Sequence, residues 1–208
     1  RRSSDLMDAN EYKDYLLGIV FYKYLSDTFL IKVYDLIYDE KPKSLKVALD
    51  AYKEALEDES AEELKEQIKS ECHYLIEPQL TYTCFADAAR NNAFNRELLQ
   101  KAFNNIEQSD PLFVDLFTDI DLYSNRLGNG DQKQSDTISS LVKEIDKADL
   151  LNSDAEILGN AYEYLIGQFA SETGKKAGEF YTPQAVSKIL TKIAIAGQEN
   201  KKGLSVYD

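Results

Sequence analysis

One short stretch of the sequence combines the residue types that an anion-binding site needs. It spans Gly174 to Leu190 and reads GKKAGEFYTPQAVSKIL. Thr182 is a good helix N-cap residue, and Pro183 suits the first position of a helix. Because the N-terminus of a helix has spare backbone N–H groups and partial positive charge, it attracts anions. The stretch therefore predicts a helix start that could hold a negatively charged group.

The residues just before this helix start indicate what kind of ligand could bind there. Phe180 and Tyr181 could form an aromatic wall, and Gly178 lets the backbone come close to a ligand. A small ligand with a carboxylate and a flat or cationic portion would suit this arrangement, although Thr-Pro also starts many helices that bind nothing. A strand-like run, GLSVYD, follows and ends in Asp208. In open α/β folds, ligands sit at the carboxyl ends of such strands.

The elements that must position this stretch are mostly helical, since the chain has only four prolines and nine glycines. Apolar residues recur three to four apart from Glu11 to Asp39, and nearly every face is apolar through Tyr15–Leu25. This pattern predicts a long helix buried on several sides, with Asp8 and Glu11 as a capping box. The many tyrosines fit such a core if each hydroxyl finds a partner.

Further helices are predicted along the chain. They should cover a region after Lys41-Pro42-Lys43 with a capping box at Ser60 and Glu63, then Phe94–Gln108, Asp136–Asp149, a stretch behind Ser153, and Pro183 to about Ala196. The dense acids between Glu54 and Glu66 are typical of a solvated face. The run PLFVDLFTDIDLYSNRLGNGD, at positions 111–131, reads as an irregular, half-buried connector.

Charge and cysteine content exclude several classes of protein. The net charge is −13: residues 1–152 hold 30 acidic and 18 basic residues, and residues 153–208 hold 7 and 6. An acidic surface repels phosphates, which disfavours broad nucleic-acid binding by the first part. The chain has one histidine and two cysteines, Cys72 and Cys84, without the spacing of a zinc site. We expect reduced thiols, no metal, no membrane span and a cytoplasmic location.

The sequence resembles the modification (methyltransferase) subunits of type I restriction-modification systems. The resemblance is carried by DAEILGNAYEYLIGQFASETGKKAGEFYTPQAVSKIL, by MDANEYKDYLLGIVFYKYLSD and by LFTDIDLYSNRLG, and so spans nearly the whole chain. It implies a fold in two parts. Residues 1–150 would form an all-α domain, an irregular helical bundle, and residues 151–208 would be the truncated start, helix and one strand, of an α/β methyltransferase domain. GEFYTP is similar to that family's motif X, and LSVYD to the strand that leads into motif I.

The resemblance implies that the cofactor is S-adenosyl-L-methionine, whose methionine end motif X contacts. The residues it assigns to cofactor binding are Glu179, Phe180, Tyr181, Thr182, Pro183 and Gln184. It implies no metal ligand. Asp208 matches the acidic residue that opens motif I.

The family's catalytic motif is Asn-Pro-Pro followed by Phe or Tyr, and it holds a flipped adenine. No Asn-Pro occurs among the 208 residues, so no catalytic residue is assigned here and we expect this piece to be inactive. The expected function is that of the N-terminal part of a site-specific adenine-N6 DNA methyltransferase subunit. Its implied partners are a specificity subunit, a restriction subunit and a second modification subunit, with DNA reached through the complex. The alternative is a stand-alone helical module for protein–protein interaction without catalysis.

Overall fold

The structure is a computed structural model that describes residues 9–148 and 184–196. The chain divides into two compact units, Arg1–Tyr162 and Glu163–Asp208, which we treat separately. Helices and connecting turns make up both described segments, and neither contains a strand. This confirms the all-α fold predicted for the N-terminal domain. The helices are α1 (Ala9–Tyr38), α2 (Leu45–Ala55), α3 (Ala61–Cys72), α4 (Tyr82–Arg90), α5 (Arg96–Glu107), α6 (Asp131–Asp146) and α7 (Gln184–Ala194).

The first helix, α1, is the centre of the helical unit, as its sequence predicts. Helices α2, α4 and α6 all pack against it. Its buried apolar residues cover most of its length and are Tyr15, Ile19, Tyr22, Leu25, Phe29, Leu30 and Val33. Most of the other residues from Tyr15 to Leu25 are half-buried, so α1 is enclosed on several sides.

The region after Pro42 forms two helices. Ser44 caps α2 by accepting a hydrogen bond from the backbone N–H of Val47, at 3.3 Å. The predicted capping box at Ser60 is wrong in its chemistry, although α3 does begin at the next residue. The Ser60 hydroxyl donates instead to a carboxylate oxygen of Asp58, at 3.0 Å, so it does not accept from the helix amides.

Helices α4, α5 and α6 and the connector between α5 and α6 complete the unit. Helix α5 begins after Asn95, close to the predicted boundary, and α6 begins at Asp131, five residues before the predicted start. Between them the chain is irregular, as predicted, with short 3-10 turns at Pro111–Phe113 and Asn125–Leu127.

Several sequence-based predictions concern residues outside the described ranges. They are the cap at Asp8, the helix behind Ser153 and the strand at Leu204–Asp208. The proposed domain boundary between residues 150 and 151 also stays a prediction.

Candidate functional site

Helix α7 is the described part of the predicted cofactor site. It runs from Gln184 to Ala194, within the helix that the sequence predicts from Pro183 to about Ala196. The predicted cap at Thr182 lies outside the described residues. Of the six residues assigned to cofactor binding, Gln184 is the first residue of α7. The other five, Glu179, Phe180, Tyr181, Thr182 and Pro183, lie outside the described residues.

The first turn of α7 contains no acidic residue. The positive end of the helix dipole is therefore not neutralised by a carboxylate of its own first turn. Lys192 lies in the last turn, where a positive charge complements the negative end of the dipole. This charge distribution fits an anionic group, such as the carboxylate of an amino acid, at the start of α7.

One face of α7 is apolar and exposed. Val186, Ile189, Leu190 and Ile193 follow the spacing of a single helical stripe, and between 45% and 68% of their surface is exposed. An amphipathic helix of this kind buries its apolar stripe against another layer of structure in α/β domains. The α/β character expected of the second part of the chain stays a prediction.

In the helical unit, a polar cleft of about 450 Å³ opens near the C-terminal ends of α3 and α5. Lys69, His73, Glu77, Asn105 and Asp110 are among the residues that line it. His73 is largely exposed, and its Nδ1 lies 4.0 Å from a carboxylate oxygen of Asp110. The cleft is also lined by Ser109, whose hydroxyl donates to the backbone oxygen of Ile106 at 2.6 Å. A loose His–Asp contact in an open cleft, beside a serine hydroxyl that is bonded to the backbone, does not constitute a catalytic arrangement.

Cys72 and Cys84 are free and half-buried. Burial raises the pKa of the Cys72 thiol, which keeps it in the protonated, less nucleophilic form. Within residues 9–148 and 184–196, no group of three or more His, Cys, Asp and Glu side chains could hold a metal ion. No helix in those ranges is both long and apolar enough to cross a membrane.

The buried charges of the helical unit were not anticipated from the sequence. Lys23 and Asp27 form an ion pair of 2.5 Å inside the core, with the Lys23 ammonium 5.1 Å from the centre of the Tyr82 ring. Their spacing of four residues on the apolar face of α1 was the available signal. Because the two charges pair with each other inside the core, they do not offer a ligand site, and removal of either one would leave the other buried and unpaired.

A third buried charge, Arg96, connects three parts of the chain. Its guanidinium donates to the backbone oxygen of Leu122, at 3.3 Å, and to the side chains of Gln134 and Asp131. It also lies over the ring of Tyr123, at 4.2 Å from the ring centre. The cluster connects the start of α5, the connector and the start of α6.

Comparison with known proteins identifies the family. The "HsdM N-terminal domain" family matches residues 1–145, and the "N-6 DNA Methylase" family matches residues 153–208. The chain belongs to the type I restriction-modification methylase subunits. Two families matched in this order agree with the resemblance seen in the sequence motifs.

Similar proteins carry the same family name. The methylase subunit of the type I restriction enzyme MpnII from Mycoplasma pneumoniae is 28% identical over 97% of this chain, which covers 38% of that protein. The MjaIX methylase subunit from Methanocaldococcus jannaschii is 34% identical over 26% of this chain and 9% of its own length.

A solved structure shares the fold. It is the methyltransferase subunit of a type I restriction-modification system from Streptococcus thermophilus, with 48% identity and a TM-score of 0.85 over 95% of this chain and 42% of that one. The present chain therefore spans about two fifths of the length of the methylase subunits that it matches over nearly its whole length.

Proposed function

We propose that this chain is the N-terminal part of a subunit that methylates adenine N6 at specific DNA sites, within a cytoplasmic type I restriction-modification complex. The observation that carries the proposal is the succession of two family matches in one chain, a methylase-subunit N-terminal domain followed by the start of an N-6 DNA methylase domain. No Asn-Pro occurs in the 208 residues, so the adenine-binding motif is proposed to lie elsewhere in the full-length protein.

The helical unit is proposed to serve assembly. Its acidic character, 30 acids against 18 bases in residues 1–152, is unfavourable for direct contact with DNA phosphates and suits protein partners. The proposed partners are the specificity subunit, the restriction subunit and a second modification subunit. DNA is then bound by the whole complex rather than by this unit alone.

The stretch at the start of α7 is proposed to form one edge of the S-adenosylmethionine site. The cofactor would supply the activated methyl group. The residues that would hold its methionine end are Glu179, Phe180, Tyr181, Thr182, Pro183 and Gln184. The described part of the stretch fits this role, because α7 begins at Gln184 and its first turn carries no competing carboxylate.

Binding of S-adenosylmethionine to the full-length protein tests this assignment. Tyr181→Ala combined with Thr182→Ala should weaken the affinity about tenfold or more, because one helix cap and one aromatic contact are lost. Isothermal titration calorimetry measures the effect. The matched control is Tyr38→Ala with Thr191→Ala, which removes the same two residue types from exposed positions elsewhere. Equal affinities for both double variants would contradict the assignment.

The second candidate function is a helical interaction module that acts without catalysis. It is favoured by one observation: the described helices up to residue 148 share a single core of buried side chains, to which α1, α4, α5 and α6 all contribute. This reading predicts that residues 1–150 alone form a complex with the specificity subunit in size-exclusion chromatography. Failure to co-elute would remove this candidate and leave the methyltransferase proposal unaffected.

A further inference from the structure

Asn129 lies between two glycines in the turn that leads into α6. Positions 128–130 read GNG, and Asn129-Gly130 is the one Asn-Gly pair in the 208 residues. Both residues of the pair are exposed, and Gly130 is the N-cap residue of α6, with a φ of +87°. Because glycine has no side chain to screen its backbone nitrogen, an asparagine before it can react with that nitrogen.

The reaction joins the backbone nitrogen of Gly130 to the side chain of Asn129. The nitrogen gives up its proton and attacks Cγ, the side-chain carbonyl carbon of Asn129. A carbon–nitrogen bond forms, the bond from Cγ to Nδ2 breaks, and ammonia leaves with the proton. The product is a five-membered succinimide ring, which water opens at either carbonyl to give aspartate or isoaspartate. Water is the only co-reactant, and no oxidation or reduction takes place.

The fold leaves the attacking nitrogen free to react. Among the residues that the structure describes, none accepts a hydrogen bond from the backbone N–H of Gly130. A Cβ added to Gly130 would meet nothing within 4 Å, so the turn has space for the ring to close. Asn92 is also exposed in a turn, but it is followed by Ala93, whose N–H donates to the carbonyl of Ala88 at 2.8 Å. The surroundings therefore favour reaction at Asn129 over Asn92.

Hydrogen bonds on both sides of Asn129 make the start of α6 sensitive to this reaction. Gln134 donates through its backbone N–H to the carbonyl of Gly130 and through its side-chain amide to the carbonyl of Gly128, both at 3.2 Å. Isoaspartate at position 129 lengthens the backbone between these two carbonyls by one methylene group, so Gln134 cannot keep both bonds in their present geometry. Since Gln134 also accepts from the buried Arg96, the change extends to the cluster that connects α5, the connector and α6.

We propose that Asn129 is a self-modification site, at which attack by Gly130 converts the asparagine into aspartate or isoaspartate and thereby loosens the start of α6. Either product adds one carboxylate, which changes the net charge of the chain from −13 to −14. Aspartate keeps the normal backbone and places its charge near the positive end of the α6 dipole, so isoaspartate is the product that loosens the helix. The reaction needs only water and the residues of the turn, so it is independent of the proposed function.

Incubation of the purified full-length protein at physiological temperature, followed by peptide mapping with mass spectrometry, measures the conversion. Relative to an unincubated sample, the peptide that contains Asn129 should gain the mass expected when NH2 is replaced by OH. The rate should rise with pH, because the attacking nitrogen must lose its proton. The peptide that contains Asn92 is the internal control and should stay unmodified.

A synthetic peptide of residues 125–134 gives the rate of the same reaction without the fold. The folded protein should convert Asn129 within about tenfold of the rate in the peptide, as expected for a turn that is not protected by hydrogen bonds. If the peptide reacts and the folded protein does not, the fold protects Asn129 and the proposal is overturned. Equal conversion at Asn92 and Asn129 in the folded protein would also overturn it.

Asn129→Gln is the matched variant for the effect on α6. Glutamine keeps the amide, but its longer side chain would have to close a six-membered ring, so the mass gain should be lost. Hydrogen–deuterium exchange of the full-length protein should show faster exchange at the start of α6 in incubated wild type and no change in incubated Asn129→Gln. Freshly prepared Asn129→Asp should exchange like fresh wild type, because it carries the charge without the longer backbone.

Helix α2, at Leu45–Ala55, is the internal control for exchange and should be unaffected by incubation. If wild type that contains isoaspartate exchanges at α6 as slowly as fresh protein, the modification does not loosen the helix and the proposal is wrong on that point. Faster exchange in fresh Asn129→Asp would assign the effect to charge and contradict the role given to isoaspartate.

Discussion

At the scale of single residues, buried tyrosines connect the elements of the helical unit. Five tyrosine hydroxyls each donate to a backbone carbonyl that is distant in sequence. The pairs are Tyr15 with Asp121, Tyr22 with Leu80, Tyr52 with Ile76, Tyr74 with Leu25 and Tyr82 with Val142. Each ring fills apolar space while its hydroxyl satisfies a carbonyl, so one side chain contributes packing and a specific partner.

Tyr82→Phe removes the hydroxyl but keeps the ring, so it measures what the hydrogen bond alone contributes to stability. The substitution keeps the buried ring but leaves the carbonyl oxygen of Val142 without the 2.8 Å bond. We expect the free energy of unfolding to fall by about 1–2 kcal/mol, the usual cost when a buried partner is lost. Urea denaturation measures it. Tyr38→Phe, at an exposed residue, should change stability by less than about 0.5 kcal/mol. Equal effects at the two positions would contradict the argument.

At the scale of elements, the connector is held against α1 by a close approach. A Cβ added to Gly18 would overlap Cδ1 of Ile120, a buried residue of the connector. The Tyr15 hydroxyl, on the same helix, bonds the carbonyl of Asp121 next to it, at 2.6 Å. The absence of a side chain at Gly18 therefore allows the connector to pack closely against α1, although glycine destabilises the interior of a helix.

The pair Gly18 and Ile120 should show coupled stability. Gly18→Ala alone gains up to about 1 kcal/mol of helix propensity but crowds Ile120, and overpacking typically costs about 1–3 kcal/mol. Ile120→Val removes the Cδ1 atom that the new methyl group would meet. In the Ile120→Val background, Gly18→Ala should therefore destabilise less than it does in wild type, because the remaining Cγ1 lies 3.2 Å from the added Cβ whereas Cδ1 lies 1.8 Å from it. A double-mutant cycle by thermal or urea unfolding gives the coupling, and additive effects would show that the two residues do not compete for the same space.

The sequence predicted elements where periodicity was strong and missed them where it was weak or broken. Helix α1 was anticipated because its apolar repeat is long. Helix α4 was missed, since Tyr82 and Phe85 are strand-favouring residues, yet its buried positions do follow a helical stripe. The predicted start of α6 was five residues too late. Gln134, in its first turn, is polar but buried as a partner of Arg96, and hydrophobic patterning cannot reveal such a contact.

Short sequence patterns predicted some helix starts but not the hydrogen bonds at those starts. The capping-box pattern at Ser60 predicted the start of α3, but the Ser60 hydroxyl donates its hydrogen bond to Asp58 instead of accepting one from the helix. The helix predicted from Pro183 to about Ala196 is present over its described part, Gln184–Ala194, whereas the cap at Thr182 stays a prediction. The exposure of Val114 and Leu116 could not be predicted, since it depends on where Phe113 and Phe117 find aromatic partners in the folded chain.

At the scale of the whole molecule, the net charge of the chain bears on how the proposed function would be divided among subunits. A methylase subunit that acts on DNA needs basic surface somewhere, yet this chain carries a net charge of −13. The acidic helical unit is compatible with the proposed methylation of DNA if other parts of the proposed complex supply the basic surface.

The buried tyrosines should also set the stability of the molecule at alkaline pH. Burial raises the pKa of Tyr22, Tyr52, Tyr74 and Tyr82 above the ordinary value. In the unfolded chain these groups ionise at about pH 10. Above that pH the unfolded state releases protons that the folded state retains, so the free energy of unfolding must fall. The stabilisation is complete below about pH 10 and is lost as the pH rises towards the folded-state pKa values.

Urea denaturation between about pH 8 and pH 11 measures this loss, with tyrosinate absorbance recorded in parallel. Each buried tyrosine contributes a slope of up to about 1.4 kcal/mol per pH unit, so four together should produce a steep decline and a concerted rise in tyrosinate on unfolding. Tyr52→Phe with Tyr82→Phe removes two of the four groups and should reduce the slope by about half, although the variant is less stable at every pH. An unchanged slope in that variant would assign the alkaline transition to the lysines instead.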